Sequence, residues 1–159
     1  MPDANGKTPP TIIVIFGASG DLTARKLAPA IFNLSKDGLL PESCYLIGYG
    51  RTEMSVDSFR EYLRKSLDSH SRRPIEEDTW SKLAASVSFH AGSYDDLNSF
   101  KVLGEKISMI EKELGQPAQC LFYVSTPPGV FMAILENLGA SGLAKRHQGQ
   151  NTASKVIIE

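Results

Sequence analysis

The sequence predicts an α/β domain built on a doubly wound, mostly parallel β-sheet. Three observations carry that prediction. Apolar runs such as "TIIVIF" recur along the chain without polar alternation, as strands buried on both faces require. Segments with apolar residues at helical spacing separate these runs. The first run enters the first helical segment through the glycine turn "FGASGDLT", residues 16–23.

The first strand is Thr11–Phe16, and Asp21–Lys36 reads as helix, with Leu27, Ile31 and Leu34 on one stripe and Asp37-Gly38 as its stop. Pro29 lies inside that helix and should kink it or mark a break in its early turns, because it lacks an N–H. "CYLIGYG", Cys44–Gly50, is the second strand. Ser55 caps the next helix, whose stripe is Phe59, Tyr62, Leu63 and Leu67. "SRRPIEED", Ser71–Asp78, interrupts it, and a short helix follows around Trp80–Ala85. Val87–Gly92 is a weaker third strand. Asp95-Asp96 caps a helix that runs to Leu114 and stops at Gly115. Gln119–Ser125 is the fourth strand, Val130–Leu138 a helix, and Lys155–Glu159 the fifth strand.

At 159 residues and 42% hydrophobic, the chain has the length and composition of a single domain with its own core. Residues 1–10, polar with paired prolines, read as a disordered leader, and residues 11–159 as the domain. A net charge of −1 gives no bulk electrostatic case for nucleic acid or membrane binding. No apolar stretch reaches the length of a transmembrane helix. Cys44 and Cys120 form no CxxC pattern and read as reduced, mostly buried thiols of a cytoplasmic protein. His70, His90 and His147 are scattered without metal-ligand spacing, and Lys145–His147 reads as a solvated basic loop.

The glycine turn suits a pyrophosphate. Gly17 and Gly20 let backbone approach a ligand, and the following helix aims free N–H groups and the positive end of its dipole at the turn. The spacing, G-x-x-G-x-x-T, differs from the G-x-G-x-x-G of dinucleotide-binding folds, with Thr23 at the third small position. The second strand ends "GYGR". Arg51 offers a planar fork to a 2′-phosphate and favours NADP over NAD, while Glu53, two residues on, is the alternative ribose-binding acid. Other chemistries lack their residues. None of the 5 tyrosines has lysine four positions later, as a short-chain reductase needs. Asp21 breaks G-x-S-x-G, and no Walker lysine follows the turn.

"GASGDLTARKLAPAIFNL", Gly17–Leu34, resembles the N-terminal signature of the glucose-6-phosphate dehydrogenase family. "DGLLPES", "IGYGR", "GSYDD", "LFYVSTPPGVF" and "KVIIE" continue the resemblance to Glu159. The resemblance implies a Rossmann-like, NADP-binding domain in which Gly17, Ala18, Ser19, Gly20, Asp21, Leu22 and Thr23 wrap the phosphates and Arg51 binds the 2′-phosphate. Ser93, Tyr94 and the loop with Thr126, Pro127, Pro128 and Phe131 would flank the adenine or nicotinamide side. The family often carries a hydroxylated aromatic where Phe131 stands, so a hydrogen bond from it is lost here. Family members are much longer and act as homo-oligomers. They oxidise glucose 6-phosphate to the lactone with hydride transfer to NADP, in the pentose phosphate pathway of carbohydrate metabolism. The chain stops at Glu159, one residue before the position of a family lysine that reaches cofactor and substrate. The expectation is an isolated coenzyme domain, cut before the substrate domain and holding no catalytic or metal-binding residue. The alternatives are a stand-alone nucleotide-binding or regulatory module without catalysis, and a structural subunit whose sheet docks a partner.

Overall fold

The structure is a computed structural model, and it describes residues 8–147 and 152–159. Residues 1–7 of the expected leader lie outside the described residues. Pro9 and Pro10 are buried, and the Gln119 N–H donates to the Pro10 carbonyl at 2.8 Å.

The strands are β1 (Thr11–Phe16), β2 (Cys44–Gly50), β3 (Val87–Ala91), β4 (Gln119–Val124) and β5 (Lys155–Ile158). They form one sheet in the order β3-β2-β1-β4-β5, and every pairing is parallel. The order reverses at β1, which pairs with β2 on one side and β4 on the other. The crevice between β1 and β4 at their C-terminal ends is where open α/β sheets bind ligands.

Strand alternation divides β1 between two cores. Ile12, Val14 and Phe16 face the layer of α4 (Leu97–Leu114) and α5 (Phe131–Ala140), against Phe100, Leu103, Ile107, Ile134 and Leu138. Ile13 and Ile15 face the layer of α1 (Ala28–Lys36), α2 (Val56–His70) and α3 (Glu77–Ala85), against Phe32, Phe59, Leu63, Leu67 and Leu83. Phe32, Phe59, Phe100 and Phe122 are fully buried. Truncating one such ring to alanine typically costs about 3–5 kcal/mol, so both layers carry much of the stability.

The helix boundaries follow the capping residues. The Ser55 hydroxyl accepts from the Ser58 N–H at 3.0 Å, and the Asp96 carboxylate from the Asn98 N–H at 3.0 Å. Residues 21–36 are helical throughout, but Thr23–Leu27 forms a wide π-helical turn in which the Ala28 N–H donates to the Thr23 carbonyl. Pro29 explains the widening: it has no N–H for the Arg25 carbonyl one turn back. The short helix expected at Trp80–Ala85 starts earlier, at Glu77, where Glu77 and Asp78 complement the dipole of its first turn.

Of Lys145–His147, Lys145 is exposed as expected, but Arg146 and His147 are not solvated. Glu111, on α4, accepts from the Ala118 N–H at 2.9 Å, from the Arg146 guanidinium and from the His147 ring at 2.8 Å. The Arg146 and Glu111 side chains are mostly buried. A charge taken out of water needs a partner, and that need draws the basic segment against α4. Cys44 and Cys120 are free thiols, Cys44 half-buried and Cys120 buried. Burial pushes Cys44 up to about 11 and Cys120, against a smaller opposing effect of Arg146, up to about 12. Both are therefore protonated at neutral pH. β5 lies at the sheet edge with Val156, Ile157 and Ile158 exposed.

Candidate functional site

The turn after β1 is fastened from both sides. The Gly17 and Ala18 N–H groups donate to the Tyr49 carbonyl on β2, at 3.0 and 3.2 Å. The Gly17 carbonyl accepts from the Gly20 N–H at 2.9 Å and from the Thr23 hydroxyl at 3.1 Å. The Tyr62 hydroxyl on α2 donates to the Gly20 carbonyl at 2.8 Å. Burial raises the Tyr62 phenol, so it remains a donor.

The two glycines do different work. Gly17 has φ +82°, and a Cβ there would lie 2.5 Å from the Ser125 carbonyl oxygen. Ser125 is held alongside by its N–H bond to the Phe16 carbonyl, at 3.0 Å. Gly17 thus lets the ends of β1 and β4 close on each other. Gly20 has an ordinary φ, and a Cβ there would meet only the Gly17 carbonyl, at 3.1 Å. Gly20 lines the cleft in front of the turn.

That cleft has a volume of about 230 Å³ and is lined by Gly17, Ser19, Gly20, Gly50, Arg51, Thr52, Tyr94, Ser125, Thr126, Pro127 and Val130. The sequence pointed to Gly17, Ser19, Gly20, Arg51, Tyr94, Thr126 and Pro127, and the fold brings these together. Val130 belongs to the expected loop 126–131; the sequence missed Gly50, Thr52 and Ser125, which arrive beside the turn through strand order, and Tyr62, whose helical stripe gave no sign of its hydroxyl's partner. Larger clefts exist, one of 370 Å³ around Cys44 and Lys82 and one of 440 Å³ between β3 and α4. Neither adjoins the glycine turn.

The other expected residues do not line this cleft. Ala18 is buried in the core, and Thr23 is buried with its hydroxyl on the Gly17 carbonyl. Asp21 is exposed and pairs with Arg25, while Leu22 is half-buried. The Ser93 carbonyl accepts from the Tyr49 hydroxyl at 2.9 Å. Pro128 begins the 3₁₀ turn Pro128–Val130, and Phe131 starts α5, packed on the core. Glu53, the alternative ribose acid, is exposed and does not line the cleft.

Two observations fit a dinucleotide. The Ser125 and Thr126 hydroxyl oxygens are buried without a hydrogen-bond partner among the described residues, at a cleft that Gly20 also lines. Arg51 is exposed at the rim with its guanidinium 5.6 Å from the Tyr94 ring centre, and among the described residues no carboxylate is paired with it. No group of three or more potential metal ligands occurs among the described residues, and no helix among them is long and apolar enough to cross a membrane.

Comparison with known proteins shows the family of the chain. The chain is 38% identical over 154 residues to the glucose-6-phosphate 1-dehydrogenase of Chlamydia muridarum, covering 95% of this chain and 30% of that protein. It is 36% identical over 152 residues to the same enzyme of Chlamydia pneumoniae, with 95% and 30% covered. The chain therefore spans about 30% of the length of these relatives. A solved glucose-6-phosphate dehydrogenase in complex with its substrate glucose-6-phosphate superposes with a TM-score of 0.80 at 29% identity, covering 94% of this chain and 30% of that one. Residues 14–159 match the family model for the NAD binding domain of glucose-6-phosphate dehydrogenase. With its parallel sheet, its glycine turn at the switch point and this match along nearly its whole length, the chain belongs to the glucose-6-phosphate dehydrogenase family and forms that family's N-terminal dinucleotide-binding domain.

Proposed function

We propose that this domain binds NADP in the cleft between the Gly17–Gly20 turn and the Ser125–Pro127 loop. In the whole protein it would present the cofactor for oxidation of glucose 6-phosphate at C1, giving the lactone. The observation that carries this reading is the pairing of an open cleft of about 230 Å³ beside the glycine turn with an arginine at the end of β2 that no carboxylate pairs among the described residues. When bound, NADP supplies the hydride acceptor. The chain's own residues bind and orient it. The turn and the start of the helix at Asp21 receive the phosphates, Arg51 receives the 2′-phosphate, and the Ser125 and Thr126 hydroxyls offer hydrogen bonds once they rotate toward the ligand. Reduced thiols and an NADP-linked reaction suit a cytoplasmic enzyme.

Arg51→Ala tests the reading. Hydrogen bonds to a charged group contribute about 1.5–3 kcal/mol, so its loss should weaken NADP by about 10- to 150-fold and NAD little. Calorimetric titration of both cofactors measures this. Equal weakening of the two would make Arg51 a general electrostatic residue.

The chain spanning residues 1–159 should not oxidise glucose 6-phosphate. Hydride transfer needs a base near the C1 hydroxyl and a frame that holds the sugar. Among the described residues, His90 is buried against the Ser99 carbonyl at 2.9 Å, and burial lowers its pKa. His147 is paired with Glu111 beside Ala118, at the N-terminal end of β4 and away from the cleft at the C-terminal strand ends. His70 ends α2 as an exposed residue. An NADPH absorbance assay with saturating substrate should match a no-protein blank. Turnover that survives controls for contaminating host enzyme would mean that a base lies in this chain.

A further inference from the structure

Arg51 is an exposed residue just beyond a strand end, and a long side chain there loses rotamer freedom each time a ligand fixes it. A group that holds the guanidinium in the cleft beforehand reduces that loss. The structure supplies one. The Arg51 guanidinium carbon lies 5.6 Å from the ring centre of Tyr94, within cation–π range.

Tyr94 is itself held firmly. It is 6% exposed, and its ring stacks on Tyr49 at 5.6 Å with an interplanar angle of 24°. Phe16 meets it edge-on at 6.4 Å, and its carbonyl accepts from the Asn137 side chain at 2.9 Å. Tyr49 is in turn fixed by its hydroxyl bond to the Ser93 carbonyl and by packing on Phe100 at 5.4 Å. The Tyr94 ring is thus a rigid part of the core, contacted by Tyr49 on one side and by Arg51 at the cleft. A ring so enclosed has little free face for a base to stack on.

We propose that Tyr94 is a positioning residue for cofactor selection: its ring holds the Arg51 guanidinium in the cleft, so discrimination in favour of a 2′-phosphorylated dinucleotide depends on Tyr94 acting through Arg51. This rests on the reading of Arg51 as the 2′-phosphate residue. It assigns Tyr94 a different task from flanking the adenine or nicotinamide.

The test is calorimetric titration of NADP and NAD against the protein and its Tyr94→Leu, Tyr94→Phe, Arg51→Ala and Tyr94→Leu/Arg51→Ala variants. Tyr94→Leu should lower the ratio of NADP to NAD affinity by about 2- to 5-fold, the strength of a cation–π contact at an exposed site. Tyr94→Phe keeps the ring and should keep the ratio. In the Arg51→Ala background, Tyr94→Leu should change the ratio no further, since a residue acting through Arg51 has nothing left to act on. If Tyr94→Leu does not fold, Tyr94→Met fills a similar volume without a ring and carries the same expectation. Equal weakening of both cofactors by Tyr94→Leu, or a further fall in the ratio in the Arg51→Ala background, overturns the proposal and leaves the Arg51 reading standing. An unchanged ratio in Arg51→Ala itself overturns both.

Discussion

Gly20→Val should abolish dinucleotide binding while leaving the domain folded. The Gly20 backbone has an ordinary φ, and a Cβ at that position meets one neighbour, the Gly17 carbonyl at 3.1 Å. A side chain here requires that carbonyl to give by a few tenths of an ångström and involves no strained φ. The cleft cannot take one, because Gly20 lines it and a branched side chain would stand where phosphate oxygens must approach the turn. The expected loss is at least about 100-fold in affinity for NADP and NAD alike. Titration calorimetry reads the affinity, and circular dichroism with a thermal melt checks the fold. Normal affinity in a folded Gly20→Val protein would remove the turn from the binding site.

Gly17→Ala, three positions earlier, should do the opposite and act mainly on stability. At φ +82° any L side chain is strained, by about 1–2 kcal/mol in the left-handed region. The added Cβ would also sit 2.5 Å from the Ser125 carbonyl oxygen, a backbone atom held by β1–β4 pairing. Relief requires the ends of β1 and β4 to move apart at the centre of the sheet. Strain and displacement together should exceed about 3 kcal/mol, a fall in Tm on the order of 10 °C for a domain of this size. A melt within two or three degrees of the parent, roughly what 1 kcal/mol shifts at this size, would show that the turn is less constrained than its geometry indicates.

The contrast between these glycines shows where sequence reading stops. Both are visible as a strand-to-helix turn, and their shared role in it follows from local chemistry. Which one faces a ligand and which one faces a neighbouring strand depends on β4 lying beside β1. That adjacency joins Phe16 to Val124 across the chain. No periodicity within either segment encodes it.

The sequence by itself determined the five strands, the stripe of α2, the caps at Ser55 and Asp96, and Arg51 at the end of β2. These are local properties: unbroken apolar runs for strands buried on both faces, 3.6-residue spacing for helices, and short polar side chains that satisfy free N–H groups at helix starts. Tertiary structure alone decided the rest. It brought the Ser125 and Thr126 hydroxyls to the turn, set Tyr62 as a brace on the Gly20 carbonyl, and placed Tyr94 under Arg51. It also drew Arg146 and His147 to Glu111 in place of solvent. In each case the partner lies far away in sequence, and the pairing is set by which elements pack together and by the cost of leaving a buried polar group without a partner.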